Sequence, residues 1–168
     1  MKKIAVVVDT FYPAKTSAAI QILDLSLALN SLGLEVTVFV PNSFLKKSLD
    51  FNEIKNIKVV SIKTPQIKNI NFLKRGINEI LMPFVMIRTL KSSSFKTDNF
   101  QGVIWYSPSI FISIFANYLS KNSKCRNYLI LRDIFPKWSV DMGLISKWSP
   151  VYALFRFFEN YQYKLADS

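Results

Sequence analysis

Three short polar segments hold the side chains best suited to bind or transform a ligand. They are Asp9 to Ser17, Ser107 to Ser109 and the pair Arg132–Asp133, and each directly follows an apolar run typical of a buried strand. Carboxylates, hydroxyls and cationic groups in such positions bind phosphate, or orient and deprotonate a substrate hydroxyl. Because the chain has no histidine, acid or base catalysis has to use a carboxylate, Lys, Tyr or Cys.

The first segment is a loop without glycine, so it does not match the GxGxxG fingerprint of dinucleotide-binding enzymes. We expect Asp9, Lys15, Thr16 and Ser17 to contact an acceptor or a phosphate there. The N-terminus of the following helix would add backbone N–H donors to an anion. The alternative is a solvent-exposed loop in which Ser17 only caps that helix.

Ser107 and Ser109 come between a strand and a helix, so their hydroxyls either contact the acceptor or a phosphate in a crevice at the sheet edge or cap the helix. Arg132 and Asp133 place opposite charges side by side after a buried strand, which carries a desolvation cost unless a ligand or partner neutralises them. We predict that Asp133 accepts the proton of a substrate hydroxyl or orients it, and that Arg132 keeps this carboxylate ionised or contacts a phosphate. The alternative is a purely structural ion pair.

Strand and helix patterns alternate along the chain. Five short apolar runs predict strands: Ile4 to Val8, Val36 to Val40, Ile57 to Ile62, Val103 to Tyr106 and Tyr128 to Leu131. The segment between the second and third strands is expected to be a loop. Helical spacing of apolar residues predicts helices over Ile20 to Leu32, Phe72 to Leu90, Phe111 to Leu119 and Val151 to Leu165. This alternation predicts the α/β class, with a doubly wound parallel sheet of about five or more strands that binds ligands at its carboxyl edge.

The chain is strongly basic, with 22 Lys and Arg against 11 Asp and Glu and a net charge of +11. Anionic partners are therefore expected. The segment Phe72 to Lys91 mixes apolar side chains with Lys74, Arg75, Arg88 and Lys91, and these four are predicted to face an anionic membrane surface. The alternative is a helix that only packs on the sheet. Basic residues scattered without a nucleic-acid-binding motif argue against nucleic acid as a partner.

The composition favours a cytoplasmic protein. The single cysteine, Cys125, excludes an internal disulfide. Only five apolar residues precede Asp9, fewer than a signal-peptide core needs. Polar residues interrupt the apolar stretch Val103 to Leu119, so it is not the run of about 20 apolar residues that crosses a membrane.

Motifs along nearly the whole chain resemble those of family 4 glycosyltransferases. Asp9-Thr10-Phe11-Tyr12-Pro13 resembles the opening D-Y-F-P-P of that family, and Gly33 to Val38 resembles its G-H-E-V-T-V. Tyr106-Ser107-Pro108-Ser109 resembles its T-S-P-P turn. Leu131 to Pro136, with Met142-Gly143, resembles the R-D-L-W-P stretch of its bacterial surface-polysaccharide branch. Tyr163 to Asp167 resembles the closing Y-x-x-A-D of its amino-terminal domain.

This resemblance implies a GT-B architecture of two Rossmann-like domains, of which residues 1–168 are the amino-terminal, acceptor-side domain. The carboxyl-terminal domain, absent from this chain, would hold the nucleotide sugar, so the chain alone is expected to be inactive. The acceptor is expected to be lipid-linked or a saccharide, and no metal or other cofactor is expected. Because similar enzymes often build on lipid-linked acceptors, the resemblance also implies a peripheral location at the inner face of the cell membrane. Lys15 and Thr16 replace the family's glycines, and Lys137 replaces a Glu. A membrane-binding or nucleic-acid-binding Rossmann-like module without catalysis is the alternative.

Overall fold

The computed structural model describes residues 2–93, 99–107 and 109–167. Within these ranges six strands form one sheet in the order β3-β4-β2-β1-β5-β6. The strands are β1 (Lys2–Val7), β2 (Leu34–Asn42), β3 (Leu49–Ile54), β4 (Ile57–Lys63), β5 (Gly102–Ser107) and β6 (Arg126–Leu131). The helices are α1 (Ser17–Ser31), α2 (Phe72–Lys91), α3 (Ser113–Ser123), α4 (Lys137–Asp141) and α5 (Pro150–Leu165). All neighbouring strands are parallel except β3 and β4, which confirms the predicted α/β class and doubly wound sheet.

The strand β3 corrects the expectation of a loop between the second and third predicted strands. It pairs antiparallel with β4 through a two-residue turn, Lys55-Asn56, in which both residues have positive φ. Three of the six β3 side chains are exposed and none is fully buried, because β3 forms an edge of the sheet. An edge strand of this kind lacks the apolar pattern by which the other strands are recognised.

Alternate side chains along the strands supply two cores on opposite faces of the sheet. On one face, Val7, Phe39 and Trp105 pack with α2 and α3. On the other, Val8 and Tyr106 pack with α1. Because β1 and β5 contribute to both cores, they are covered on both sides, as the continuous apolar runs predicted.

The closing helix α5 buries only part of the apolar stripe that the sequence suggests. Phe155 and Phe158 pack on Phe111, with ring centroids 6.3 and 4.8 Å away. Val151 and Leu154, which the sequence pattern placed on the same stripe, are exposed. The buried face of α5 also carries the polar residues Glu159 and Gln162. A pattern based on hydrophobicity does not detect such a face.

Glu159 is a buried carboxylate with two hydrogen-bond donors. Arg156 donates to its Oε2, and the Tyr163 hydroxyl donates to its Oε1 at 2.9 Å. These contacts offset part of the desolvation cost of a charge with no solvent exposure. Burial, together with the hydrogen bond to Glu159, raises the pKa of Tyr163 to about 12.

The carboxyl end of the described chain is bound to the beginning of β6. Asp167 accepts a hydrogen bond from the Asn127 backbone amide at 2.7 Å, and its own amide donates to the Asn127 carbonyl at 3.0 Å. The Asn127 side chain donates to the Leu165 carbonyl at 3.3 Å. The Asp167 that ends the Y-x-x-A-D match therefore has a structural role.

The Tyr163 hydroxyl should make the stability of the fold fall at alkaline pH. In the unfolded chain it loses its proton near the ordinary value of 10.0, whereas in the folded chain the pKa is about 12. Its contribution is therefore complete below pH 10 and is lost as pH rises through 12. Urea unfolding should show a steeper loss over this window in the wild type than in Tyr163→Phe. Glu159→Gln should lower the pKa of Tyr163 and so narrow the pH range over which stability is lost. Superimposable curves of stability against pH for the wild type and Tyr163→Phe would contradict this role of Tyr163.

Candidate functional site

The sheet reverses its direction of growth at β1. From β1 the chain adds β2 and then β4 on one side, and returns to place β5 on the other side. The connections after β1 and β5 therefore leave the sheet on opposite faces and open a crevice at its carboxyl edge, where α/β folds bind ligands. In the register of the two strands Val7 pairs with Trp105. Asp9 therefore lies level with Ser107 at this edge.

Three residues at this point, Asp9, Ser107 and Ser109, form what we call the β1–β5 crevice. Among the described residues, six buried side-chain nitrogen or oxygen atoms have no hydrogen-bond partner. Three of them are Asp9 Oδ1, Ser107 Oγ and Ser109 Oγ, and a fourth is Nε1 of Trp105, two residues before Ser107. Buried polar atoms are normally paired, so this concentration at one strand end marks the crevice as a candidate binding site.

Asp9 is the charged member of the crevice. Burial raises the pKa of its carboxyl group, while its own backbone amide, Lys68 and the Thr10 amide act in the opposite direction. The negative charge of Glu79 on α2 adds to the increase in pKa. Lys68 and Glu79 were not identified from the sequence. They lie 59 and 70 residues along the chain from Asp9, and only the tertiary fold brings them close enough to act on it.

On the opposite face of the sheet Arg132 connects β6, β5 and α1. Its Nη1 donates to the Tyr106 hydroxyl and its Nη2 donates to Ser17 Oγ, both at 2.9 Å. The Tyr106 hydroxyl in turn donates to Gln21 Oε1 at 3.3 Å. The hydrogen bond to Tyr106 raises the pKa of the Arg132 guanidinium. These four residues, here called the arginine network, hold an exposed cation beside the N-terminus of α1.

Tyr106 and Gln21 were missed by sequence analysis, although one signal for Tyr106 was present. Adjacent residues of a strand point to opposite faces. If Ser107 faces one side of the carboxyl edge, then Tyr106 faces the other. The residues expected at one sheet edge therefore form two clusters. The β1–β5 crevice lies on the α2 face of the sheet, and the arginine network lies on the α1 face.

The predicted first-segment residues take different positions at the start of α1. Thr16, not Ser17, is the N-cap residue, and its Oγ1 accepts a hydrogen bond from the Ala19 amide at 3.2 Å. The interpretation of Ser17 as the cap is wrong, because Ser17 is the first helical residue and its hydroxyl accepts from Arg132. Lys15 is exposed beside them.

The interpretation of Ser107 and Ser109 as helix caps is also wrong. The helix α3 begins only at Ser113, after a turn, and its N-cap position is Ile112 without a side-chain capping bond. The carbonyl of Ser109 accepts from the Ile112 amide at 3.2 Å, while its hydroxyl has no partner. Pro108, the middle residue of the motif, lies outside the described residues.

Asp133 lies apart from the β1–β5 crevice, beside Arg132 in an open depression of about 440 Å³ that Lys137, Trp138 and Asp141 also line. Arg132 and Asp133 are both exposed. The expectation that this pair carries a desolvation cost is therefore wrong, because β6 is an edge strand and its carboxyl end is open to solvent. The catalytic role of Asp133 stays a prediction.

The helix α2 combines a packed face with a free one. Met82, Met86 and Leu90 are buried in the core. Ile77, Leu81 and Phe84 are 59%, 46% and 52% exposed, and large apolar side chains three and four residues apart form one stripe on a helix. The interpretation that α2 packs on the sheet is thus correct, and it leaves an apolar stripe in solvent.

Four basic residues lie along the same helix, and Lys74, Arg75, Arg88 and Lys91 are all exposed. Arg75 pairs with Glu79 at 2.8 Å, and Lys91 lies 5.4 Å from the ring centre of Tyr118. Lys74 and Arg88 extend from the helix without a salt bridge within the described ranges. No helix in the described part of the chain is long and apolar enough to cross a membrane.

Across residues 2–93, 99–107 and 109–167, no three His, Cys, Asp or Glu side chains are grouped so that they could hold a metal ion. The sequence-based expectation that the reaction needs no metal stays a prediction.

No protein-family model and no curated protein matches the sequence, but solved structures match its fold. The catalytic domain of starch synthase IV from Arabidopsis thaliana, bound to ADP and acarbose, superposes with a TM-score of 0.57 at 7% identity. That match covers 76% of this chain and 33% of the other. Trehalose-6-phosphate synthase from Escherichia coli, bound with UDP-2-fluoro glucose, gives a TM-score of 0.51 at 15% identity, over 77% of this chain and 33% of its own. The chain has the Rossmann-like fold of a GT-B glycosyltransferase domain.

A third structure, the C-terminal domain of a hydrogenase from Pyrococcus furiosus, gives a TM-score of 0.49 at 17% identity over 77% of this chain and 91% of its own. A similarity at that level carries no functional meaning. The chain spans about one third of the length of the two glycosyltransferases. Membership of family 4 and of its bacterial surface-polysaccharide branch stays a prediction.

The arginine network should bind a small polyanion, for which inorganic pyrophosphate is the probe. Arg132→Gln should weaken its binding by at least about tenfold, because a guanidinium hydrogen bond to phosphate is lost. Arg126→Gln is the matched control, since Arg126 is exposed at the opposite end of the same strand. Isothermal titration of both variants at one salt concentration measures the difference. Equal weakening in both would mean that only net charge attracts the anion.

Proposed function

We propose that this chain is the acceptor-side domain of a glycosyltransferase that moves a sugar from a nucleotide-sugar donor to a lipid-linked or saccharide acceptor. The observation that carries the proposal is a GT-B domain fold whose sheet presents unpartnered polar groups at the point where its growth reverses. Fold alone does not define activity. Asp9 Oδ1 and the Ser107 hydroxyl, which have no hydrogen-bond partner, support a substrate at this edge, because buried polar groups are normally paired.

The assignment to the acceptor side is supported by what the first loop lacks. No glycine lies between Asp9 and Ser17, so the backbone has no position suited to close contact with a pyrophosphate. In this proposal a second domain would hold the nucleotide sugar. The similar solved structures are about three times as long as their matched part, which fits a two-domain enzyme.

In this proposal Asp133 and Arg132 serve the acceptor. Asp133 is open to solvent at the rim, where it can accept the proton of the acceptor hydroxyl or orient that hydroxyl. The guanidinium of Arg132 is fixed by Tyr106 and Ser17, so it is pre-oriented toward a phosphate on the acceptor. Neither step needs a metal or an organic cofactor.

In the full-length enzyme, Asp133→Asn should lower turnover by roughly 10²-fold while leaving donor binding unchanged. Transfer of labelled sugar from UDP-glucose and GDP-mannose to lipid extracts, compared between variants, measures the effect. Asp141→Asn is the matched control, because Asp141 lines the same depression. Normal turnover of Asp133→Asn would mean that this residue is not catalytic. If no nucleotide sugar supports transfer, the proposed glycosyltransferase activity is refuted.

We also propose that the domain docks on the anionic inner face of the cell membrane, where surface polysaccharides are built on lipid carriers. The apolar stripe Ile77, Leu81 and Phe84 would enter the interface, and Lys74 and Arg88 would contact lipid headgroups. Arg75 and Lys91 would add long-range attraction. The net charge of +11 favours the same surface.

Vesicles containing anionic lipid should retain the protein at low salt and release it as salt rises, since charges are screened within about 10 Å at 0.1 M. Replacement of Lys74, Arg75, Arg88 and Lys91 by Ser should abolish retention in a flotation assay. The matched control removes the same amount of charge from other parts of the surface. It replaces four other exposed lysines by Ser: Lys46, Lys47, Lys63 and Lys121. If both variants lose retention equally, α2 is not the docking face.

A further inference from the structure

We propose that the connection between α4 and α5 inserts into the interface of an anionic membrane through three apolar side chains, Met142, Leu144 and Trp148, here called the α4–α5 wedge. The inference rests on the proposed membrane docking and deepens it. It adds a second inserting surface to the stripe on α2 and indicates which edge of the domain approaches the lipid.

The wedge lies in the part of the chain that is richest in exposed apolar side chains. Half of the large apolar side chains that are exposed within the described ranges lie between Leu131 and Phe157. Met142, Leu144 and Trp148 are 69%, 64% and 93% exposed. Apolar area in water is unfavourable, and a concentration of it on a protein surface marks a site that contacts another protein or a membrane.

The loop that carries the wedge satisfies several of its own amide groups. The Leu144 and Ile145 amides both donate to the Ser139 carbonyl, at 2.9 and 3.4 Å. At the other end of the loop, the Ser146 hydroxyl accepts from the Trp148 amide at 3.3 Å. An amide without a partner is costly to move toward the apolar part of a membrane, because water is not there to solvate it. These hydrogen bonds therefore lower the cost of inserting the loop.

The exposure and the charges around the wedge favour lipid as its partner. A side chain as exposed as Trp148 has no groove around it, so the partner has to supply nearly all of the contact, and lipid does so without a matching shape. Lys147 precedes this tryptophan and Lys137 lies on α4, both of them exposed, with Asp141 as the one acidic residue between the two lysines. Lysine side chains beside an inserted indole ring reach anionic headgroups while the ring occupies the apolar boundary.

The wedge and the apolar stripe on α2 lie at the same end of one layer of helices. Both α2 and α5 pack into the core on the same face of the sheet. The helix α2 begins near the carboxyl edge, where Glu79 acts on Asp9. The wedge follows β6 at that edge, and α5 then runs back, since Asp167 beyond its end pairs with Asn127 at the start of β6. One lipid surface at the carboxyl edge is therefore placed to contact both.

Insertion of the wedge would also bring the depression around Asp133 to the lipid surface. The Trp138 amide donates to the Ile134 carbonyl at 3.2 Å, and the Met142 amide donates to the Trp138 carbonyl at 3.0 Å. Residues four apart in such turns lie on one side, so Ile134, Trp138 and Met142 form an apolar stripe. Because Ile134 and Trp138 line the depression, this stripe leads from it to the wedge. The proposed acceptor residue Asp133 would then lie beside the membrane that carries a lipid-linked acceptor.

The first test uses the fluorescence of Trp148 in the 168-residue chain. Trp105 is buried, so Trp138→Phe leaves Trp148 as the exposed tryptophan. Vesicles of phosphatidylglycerol and phosphatidylcholine in equal parts, with bromine on their acyl chains, should quench this emission and shift it to shorter wavelength. The further change Trp148→Phe should remove the quenching. Unquenched emission from vesicle-bound protein overturns the wedge and leaves docking through α2 standing.

The second test compares two exposed leucines. Leu144→Ala should raise the Kd for these vesicles by about tenfold, because apolar area no longer leaves water on binding. Leu32→Ala is the matched control, since Leu32 is 77% exposed at the end of α1, on the opposite face of the sheet. The difference should persist as salt is raised while binding remains measurable, because it is not electrostatic. Both variants should keep the wild-type Tm, which confirms that they fold.

The outcomes separate the wedge from the proposed docking through α2. An equal Kd for Leu144→Ala and Leu32→Ala overturns the wedge. Quenching of Trp148 that survives replacement of the four basic residues of α2 supports the wedge and contradicts docking through α2. If Leu144→Ala instead lowers the molecular mass measured by light scattering without lipid, the surface joins two copies of the chain and the inference is overturned. If no vesicle binds the protein at any salt concentration, the wedge and the proposed docking both fail.

Discussion

The position of β1 in the sheet is the constraint on which the rest of this structure depends. The strand pairs with β2 on one side and β5 on the other, in parallel register with both. Ala5, Val6, Val7 and Val8 are all fully buried, because helices cover both faces of the sheet at this strand. Since the chain leaves β1 on one face and returns to β5 through the other, the two strand ends separate and the crevice follows from the connectivity.

Adjacent residues at the end of β5 give this edge two chemically different sides. Tyr106 points to the α1 face, where it accepts a hydrogen bond from Arg132, and Ser107 points with Trp105 to the α2 face. A shift of one residue in the register between β1 and β5 would exchange these faces and bury the tyrosine hydroxyl among apolar side chains. The core register and the site chemistry are thus fixed by the same pairing.

Two helices place unusual groups on the faces they present. The helix α2 buries Met82, Met86 and Leu90 and leaves Ile77, Leu81 and Phe84 about half exposed to solvent. The helix α5 buries Glu159, and both hydrogen-bond donors to its carboxylate, Arg156 and Tyr163, belong to the same helix. The helix α2 thus presents an apolar stripe to solvent, whereas the buried charge of α5 is paired within the helix.

The sequence by itself determined the α/β class, the five apolar strands, the main helices and the three segments at the carboxyl edge, because burial on both faces and helical spacing leave strong local patterns. It did not show the edge strand β3, whose turn depends on the conformation of Lys55 and Asn56 and not on apolar residues. Only the tertiary structure decided that Asp9 and Arg132 serve opposite faces, that Thr16 takes the cap and that Asp133 lies in the open. Those properties depend on strand order and on contacts between residues such as Ser17 and Arg132, 115 positions apart, and no local pattern encodes them.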